Sequence, residues 1–182
     1  LRALLSAKPM RRWARLHHAI KLLLLTGARR GELALASWRE IDFAKALWSV
    51  PGERTKTGKP LAVPLSPWAV SELIDLRKLS PGSAWLFPGG GNHPADPKLL
   101  TRNLARGQKR FAELGIDRFT LHDLRRTMRT GLSRLKVPPH IAERVLGHAQ
   151  EKIPGTYDLY DYLPEKREAL DRWAQHLQEL TK

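Results

Sequence analysis

The sequence predicts a mainly α-helical domain carrying one small antiparallel β-sheet, an α+β fold, and three observations predict it. Apolar residues recur at helical spacing along most of the chain, and Gly or Pro punctuates the runs. One stretch, between residues 41 and 65, instead carries short β-type runs on either side of a turn-rich segment. Hydrophobic residues make up 42% of the 182, enough for one core, so residues 1–182 read as a single domain.

From Arg11 to Leu25 the residues Leu16, Ala19, Ile20, Leu23 and Leu24 fall at helical spacing, and Gly27 is placed to end that helix. Ala28 to Gly31 form a tight basic connection, and Glu32 to Trp38 read as a short second helix. Leu47 to Val50 and Leu61 to Leu65 read as strands joined by a turn-rich Pro51 to Pro60, with Ile41 to Phe43 as a candidate third strand. A lone hairpin is marginal in water, so this one is expected to pack on the helices. Pro67 suits the first turn of a helix reaching Leu79. Ser80 to Pro97 is rich in Pro and Gly and reads as a loop anchored by Trp85, Leu86 and Phe87. Helices are expected again over Lys98 to Leu114, His122 to Leu135 and Pro139 to Leu146. The last helix, 164–180, puts Leu170, Trp173, Ala174, Leu177 and Leu180 on one face, to pack on its own domain or to dock on a neighbouring subunit. There is no internal repeat and no low-complexity tract.

A formal charge of +14 repels itself in a compact fold and makes sense opposite a polyanion. Displacing phosphate counterions rewards such a charge, which points to nucleic acid. A ribosome-associated or membrane-surface protein is the other reading of the charge. Membrane-surface binding calls for one basic amphipathic helix, however, whereas Lys and Arg here are spread along the whole chain. The absence of cysteine excludes disulfides, thiolate nucleophiles and Cys-based zinc sites. The longest apolar run, Leu22 to Leu25, is far too short to span a bilayer, and no secretory signal is evident. The expectation is a cytoplasmic protein without a membrane partner. The chain opens at Leu1 rather than Met, as expected of a fragment of a longer protein.

Four short motifs carry polar chemistry. His122 and Arg125 lie three apart, hence on one helix face, where they can share a phosphate; a solvated basic face that also includes Arg126 and Arg129 is the plainer reading. Thr26-Gly27-Ala28-Arg29-Arg30-Gly31-Glu32 presents an arginine at a sharp turn, with Glu32 in reach of a neighbouring guanidinium, although a basic turn capped by a Glu is ordinary. Lys56 sits at the hairpin tip with Lys59 as a close competitor, and exposed hairpin lysines are usually inert. Leu146-Gly147-His148 ends a helix, and Tyr157 follows nine residues later, near Tyr160 and Tyr162; clustered tyrosines are most often packing residues.

Taken in order, Arg29, Lys56, His122-x-x-Arg125, Leu-Gly-His148 and Tyr157 resemble the tyrosine recombinase (phage integrase) family, DNA breaking-rejoining enzymes. The likeness runs from about Leu16 to Leu177, and the segment from Tyr157 to Arg167 resembles the prophage P4-type integrase branch. The resemblance implies site-specific recombination, the integration or excision of a mobile element, through a covalent 3′-phosphotyrosyl intermediate. It assigns Tyr157 as nucleophile, with Tyr160 a distant second. Arg29 and Arg125 become phosphate clamps, His122 and His148 further hydrogen-bonding groups, Lys56 the general acid and Glu32 the residue holding a guanidinium in place. No metal and no cofactor are implied. The expected partner is double-stranded DNA at attachment sites, with a homotetramer assembled on it and a monomer allowed for the free chain. Arg102, Arg106, Lys109, Arg110, Arg126, Arg129 and Arg134 are candidate contacts to the DNA backbone. Related enzymes carry a DNA-binding domain before this one, expected to be missing from this fragment. Type IB topoisomerases and telomere resolvases share the chemistry, and an inactive DNA-binding module is the rival of another class.

Overall fold

The computed structural model describes residues 1–6, 13–90, 93–148 and 160–182. At its centre lies a helix buried on most of its sides. A short α1 (Arg2–Ser6) precedes it, and α2 (Ala14–Thr26) buries Leu16, Ala19, Ile20 and the run Leu22 to Leu25. A helix apolar on most sides has to be surrounded. Around it stand α4 (Pro67–Lys78), α5 (Pro97–Glu113), α6 (Leu121–Arg134) and α8 (Leu163–Thr181), all in contact with α2. Between them come α3 (Arg30–Ala34) and α7 (Pro139–Val145). No helix among the described residues is long and apolar enough to cross a membrane.

The sheet has three antiparallel strands in the order β1 (Ile41–Asp42), β2 (Leu47–Val50), β3 (Leu61–Pro64). Trp48 faces Ile41 on one side and Val63 on the other. Trp48, Val50 and Val63 are buried, and β3 packs on α8, so the hairpin does rest on the helices.

The expected second helix from Glu32 to Trp38 is shorter than its pattern suggested. It ends at Ala34, and a separate 3-10 turn covers Trp38–Glu40. The break arises because this backbone bonds sideways: Trp38 N–H donates to the Ala84 carbonyl and Leu86 N–H to the Ala36 carbonyl. Those two bonds moor the 80–97 loop, with Leu86 and Phe87 sunk in the core as anchors.

On α8, Leu170, Trp173, Ala174 and Leu177 are buried within this chain, whereas Leu180, expected on the same face, is 37% exposed at the last turn. Trp173 packs against Gly131 of α6, where a methyl group would stand 2.1 Å from the ring. Its indole N–H donates to the Leu24 carbonyl at 2.8 Å, one of the acceptors left over where α2 ends.

Candidate active site

Two glycines place the site. Gly27 ends α2 in the left-handed conformation (φ 65°), its N–H bonded to the Leu23 carbonyl at 2.9 Å. A Cβ there would come within 2.6 Å of Met128 Sδ on α6 and 2.8 Å of Leu146, so only glycine admits this approach. Gly147 ends α7 with φ 59°, and a Cβ on it would lie 2.8 Å from Leu61 at the start of β3. The end of α2, the middle of α6, the end of α7 and the hairpin therefore meet at one place.

Arg125 occupies that junction. It projects from α6 at only 5% exposure. Its Nη1 donates to the Gly27 carbonyl, and its Nη2 donates to the Leu146 carbonyl and, at 2.9 Å, to His148 Nε2. Burial, and after it the charge of Arg29, pull Arg125 down to about 10, which still leaves the guanidinium charged at neutral pH. Sequence reasoning left open a solvated basic face for this residue. The structure instead shows a buried staple between the ends of α2 and α7.

Arg29 leads into α3. Its backbone N–H and its Nη1 both donate to Glu32, at 2.7 and 2.8 Å, and its Nη2 reaches the Gly147 carbonyl at 3.5 Å. Glu32 is completely buried, so it caps the first turn of α3 and fixes the guanidinium with the same carboxylate. Arg29, Arg125 and His148 thus converge on the Leu146-Gly147-His148 turn.

The other candidates stand apart from this group. His122 is exposed on the first turn of α6, and among the described residues it makes no hydrogen bond to Arg29, Arg125 or His148. Lys56 is exposed at the tip of a turn that is well built: Thr55 Oγ1 lies within hydrogen-bond distance of the Gly52 and Lys59 carbonyls, at 3.0 and 2.8 Å, and Arg54 is paired with Glu40 and the Leu35 carbonyl. Leu61 against Gly147 sets the root of that hairpin beside the site. Tyr157 lies outside the described residues. Tyr160 is half exposed, its ring 4.7 Å from that of Tyr162.

Arg102, Arg106, Lys109 and Arg110 lie exposed on α5, and Arg126 and Arg134 are exposed on α6. Arg102 also pairs with Asp96, Arg110 with Glu113 and Arg126 with Asp123. Arg129 is half-buried, its Nε donating to Glu143 at 2.7 Å. Glu143 is the neighbour that sequence reasoning missed: it also bonds His148 Nδ1. Among the described residues no group of three or more His, Asp or Glu side chains gathers closely enough to hold a metal ion.

A helical core with a three-stranded sheet, two arginines and a histidine on one turn, and a DNA-scale positive charge define a class, and comparison with known proteins agrees. Residues 2–161 match the Phage integrase family, and the chain belongs to it. It is 33% identical over 154 residues to the prophage integrase IntA of Escherichia coli K12, covering 83% of this chain and 36% of that protein. With the integrase of Enterobacteria phage P4 it shares 32% identity over 177 residues, covering 87% and 39%. The chain therefore spans under two-fifths of the length of these relatives. Among solved structures it superposes on the integrase of mycobacterium phage Brujita with a TM-score of 0.72 at 16% identity, over 99% of this chain and 60% of that one. The lambda integrase catalytic core gives 0.60 at 23% identity, over 84% and 89%, so the fold is shared.

Proposed function

We propose that this chain is the catalytic part of a tyrosine site-specific recombinase, which integrates or excises a mobile element by cutting and rejoining DNA without a metal ion. The observation that carries the reading is the convergence of Arg29, Arg125 and His148 on one turn, with Glu32 and Glu143 behind them. Hydrogen-bond donors fixed in advance where charge develops are what a phosphoryl transfer needs.

In this reading the Tyr157 hydroxyl attacks phosphorus, forming a new P–O bond as the bond to the 5′ oxygen breaks. Lys56 gives the leaving oxygen its proton. The tyrosine's own proton, unfavourable to lose near neutrality, departs into a cationic setting, with His122 as its acceptor. A 5′-hydroxyl from a second strand then reverses the step at a new junction, so the bond energy is conserved in the protein–DNA link. Arg29 and Arg125 hold the non-bridging oxygens throughout. Double-stranded DNA at an attachment site is the proposed partner, in a homotetramer built on it within the bacterial cytoplasm. That Tn1549 transposon integrase was solved in complex with circular intermediate DNA, and lambda integrase as a dimer on a core site, supports the choice of partner.

A nicked suicide substrate tests this, with wild type, Tyr157→Phe and Tyr160→Phe compared in EDTA. The expected result is a protein–DNA adduct, stable to denaturing electrophoresis, lost only in Tyr157→Phe. Tight binding with no adduct from any of them, even when the chain is restored to the length of its relatives, would leave only a DNA-binding module. Relaxation of supercoiled DNA without site preference would favour a topoisomerase.

A further inference from the structure

The end of α7 has a geometry that brings one more residue to the site. Gly147 N–H bonds to the Arg144 carbonyl at 3.1 Å and His148 N–H to the Glu143 carbonyl at 3.0 Å. This paired ending, with a left-handed glycine between, sets the side chain after the glycine against the one four residues before it. Here those are His148 and Glu143. The Glu143 carboxylate is bonded through Oε2 to His148 Nδ1, and through Oε1 it accepts from Arg129 Nε at 2.7 Å.

Across the imidazole, Nε2 lies 2.9 Å from Arg125 Nη2. A guanidinium nitrogen only donates, so Nε2 must be the acceptor and the ring proton must sit on Nδ1. A carboxylate facing Nδ1 demands the same tautomer, so both neighbours of the ring agree. We infer that Glu143 is a positioning residue that fixes the tautomer and rotation of His148, and through Nε2 holds the Arg125 guanidinium in its working place. The charged groups around the ring are Arg125 and Arg129 from α6, Glu143 from α7 and Arg29, which reaches the adjoining Gly147 carbonyl. Burial pushes the Glu143 carboxyl up, but hydrogen bonds from His148 and Arg129 outweigh it and hold the group below its ordinary value, so it stays an acceptor near neutrality. The effect on cleavage rests on the recombinase reading above; the tautomer does not.

The experiment has two arms on this chain. Two-bond proton–nitrogen correlations on histidine-labelled protein, with His148 assigned through His148→Gln, read which ring nitrogen carries the proton. Wild type is expected to show a protonated Nδ1 and a bare Nε2. Glu143→Leu is expected to lose that preference, and Glu143→Gln, which keeps an acceptor oxygen, to restore it. An unchanged Nδ1–H tautomer in Glu143→Leu overturns the inference. The second arm is single-turnover cleavage of nicked DNA. There Glu143→Leu is expected to lose about ten- to a hundredfold in rate, the scale seen when the group behind a working imidazole is removed, with DNA affinity within about twofold. Glu143→Gln, which keeps an acceptor oxygen for Nδ1–H, is expected to regain most of that rate. A changed tautomer with an unchanged rate, or a rate that Glu143→Gln fails to regain, overturns the positioning role. If wild type forms no adduct at all, the recombinase reading fails, while the first arm still decides what Glu143 does.

Discussion

Arg125 has a structural duty and, in the proposed reading, a chemical one, and the two separate by substitution. Its guanidinium is the donor for the Gly27 and Leu146 carbonyls at a place where water is nearly excluded. Arg125→Ala leaves both acceptors bare, which should cost about 2–4 kcal/mol of stability. Arg125→Lys keeps a charge but cannot span two carbonyls and an imidazole, so adduct formation should fall roughly a hundredfold or more. Urea midpoints and suicide-substrate assays check the two halves. Stability of Arg125→Ala within about 0.5 kcal/mol of wild type would remove the structural duty. The sequence pattern proposes Arg125 as a site residue but leaves its burial invisible, because Arg126 and Arg129 beside it read as a wet basic face. Glu143 was legible in principle: a glycine ending a helix makes its fourth predecessor and its successor neighbours, and that rule points from Gly147 to Glu143 and His148.

At the scale of elements, α2 and α4 are joined by a polar knot. Glu72 accepts from Lys21 at 2.8 Å and from the Trp68 indole at 2.9 Å, and it bonds His18 Nδ1 at 2.7 Å, all at 6% exposure. Burial pushes its carboxyl up, but those three hydrogen bonds overcome it and bring it down to about 2. A carboxyl lowered by folding stabilises above its unfolded value, here 4.5, and loses that contribution as pH falls toward about 2, roughly 3 kcal/mol in all. His17 acts in the same direction earlier. Burial, then Lys21, lower it from 6.5 to about 4, so the folded state refuses a proton that the unfolded chain accepts, and stability drops across that interval. Urea midpoints measured against pH should therefore slope downward below about 6.5. His17→Gln should flatten the upper part of the slope and Glu72→Gln the lower. A flat profile in wild type would contradict both. The helices themselves were legible from apolar period and glycine stops. The end of α3 was not, because the bonds that halt it come from Ala84 and Leu86, some fifty residues downstream.

For the whole molecule the governing number is the +14 charge. Part of it is displayed on α5, where Arg102, Arg106, Lys109 and Arg110 are exposed. DNA affinity should fall steeply with salt, and each of these that touches a phosphate should reduce the logarithmic slope by about 1 when changed to Ala, with little effect on sequence preference. Filter binding or fluorescence anisotropy across a salt series measures this. A slope unaltered by all four substitutions would move the DNA to another face.

The staple at Arg125 has a consequence for how copies of such a gene decay. An inactive protein that still folds, still occupies DNA and obstructs an intact copy is reached by losing a side chain that holds nothing else together. Under the proposed function, His122 and Lys56, exposed and unattached to Arg29, Arg125 and His148 among the described residues, would be such side chains. A loss at Arg125 instead removes the hydrogen bonds that tie the ends of α2 and α7 to α6, and so eliminates the would-be competitor along with its chemistry.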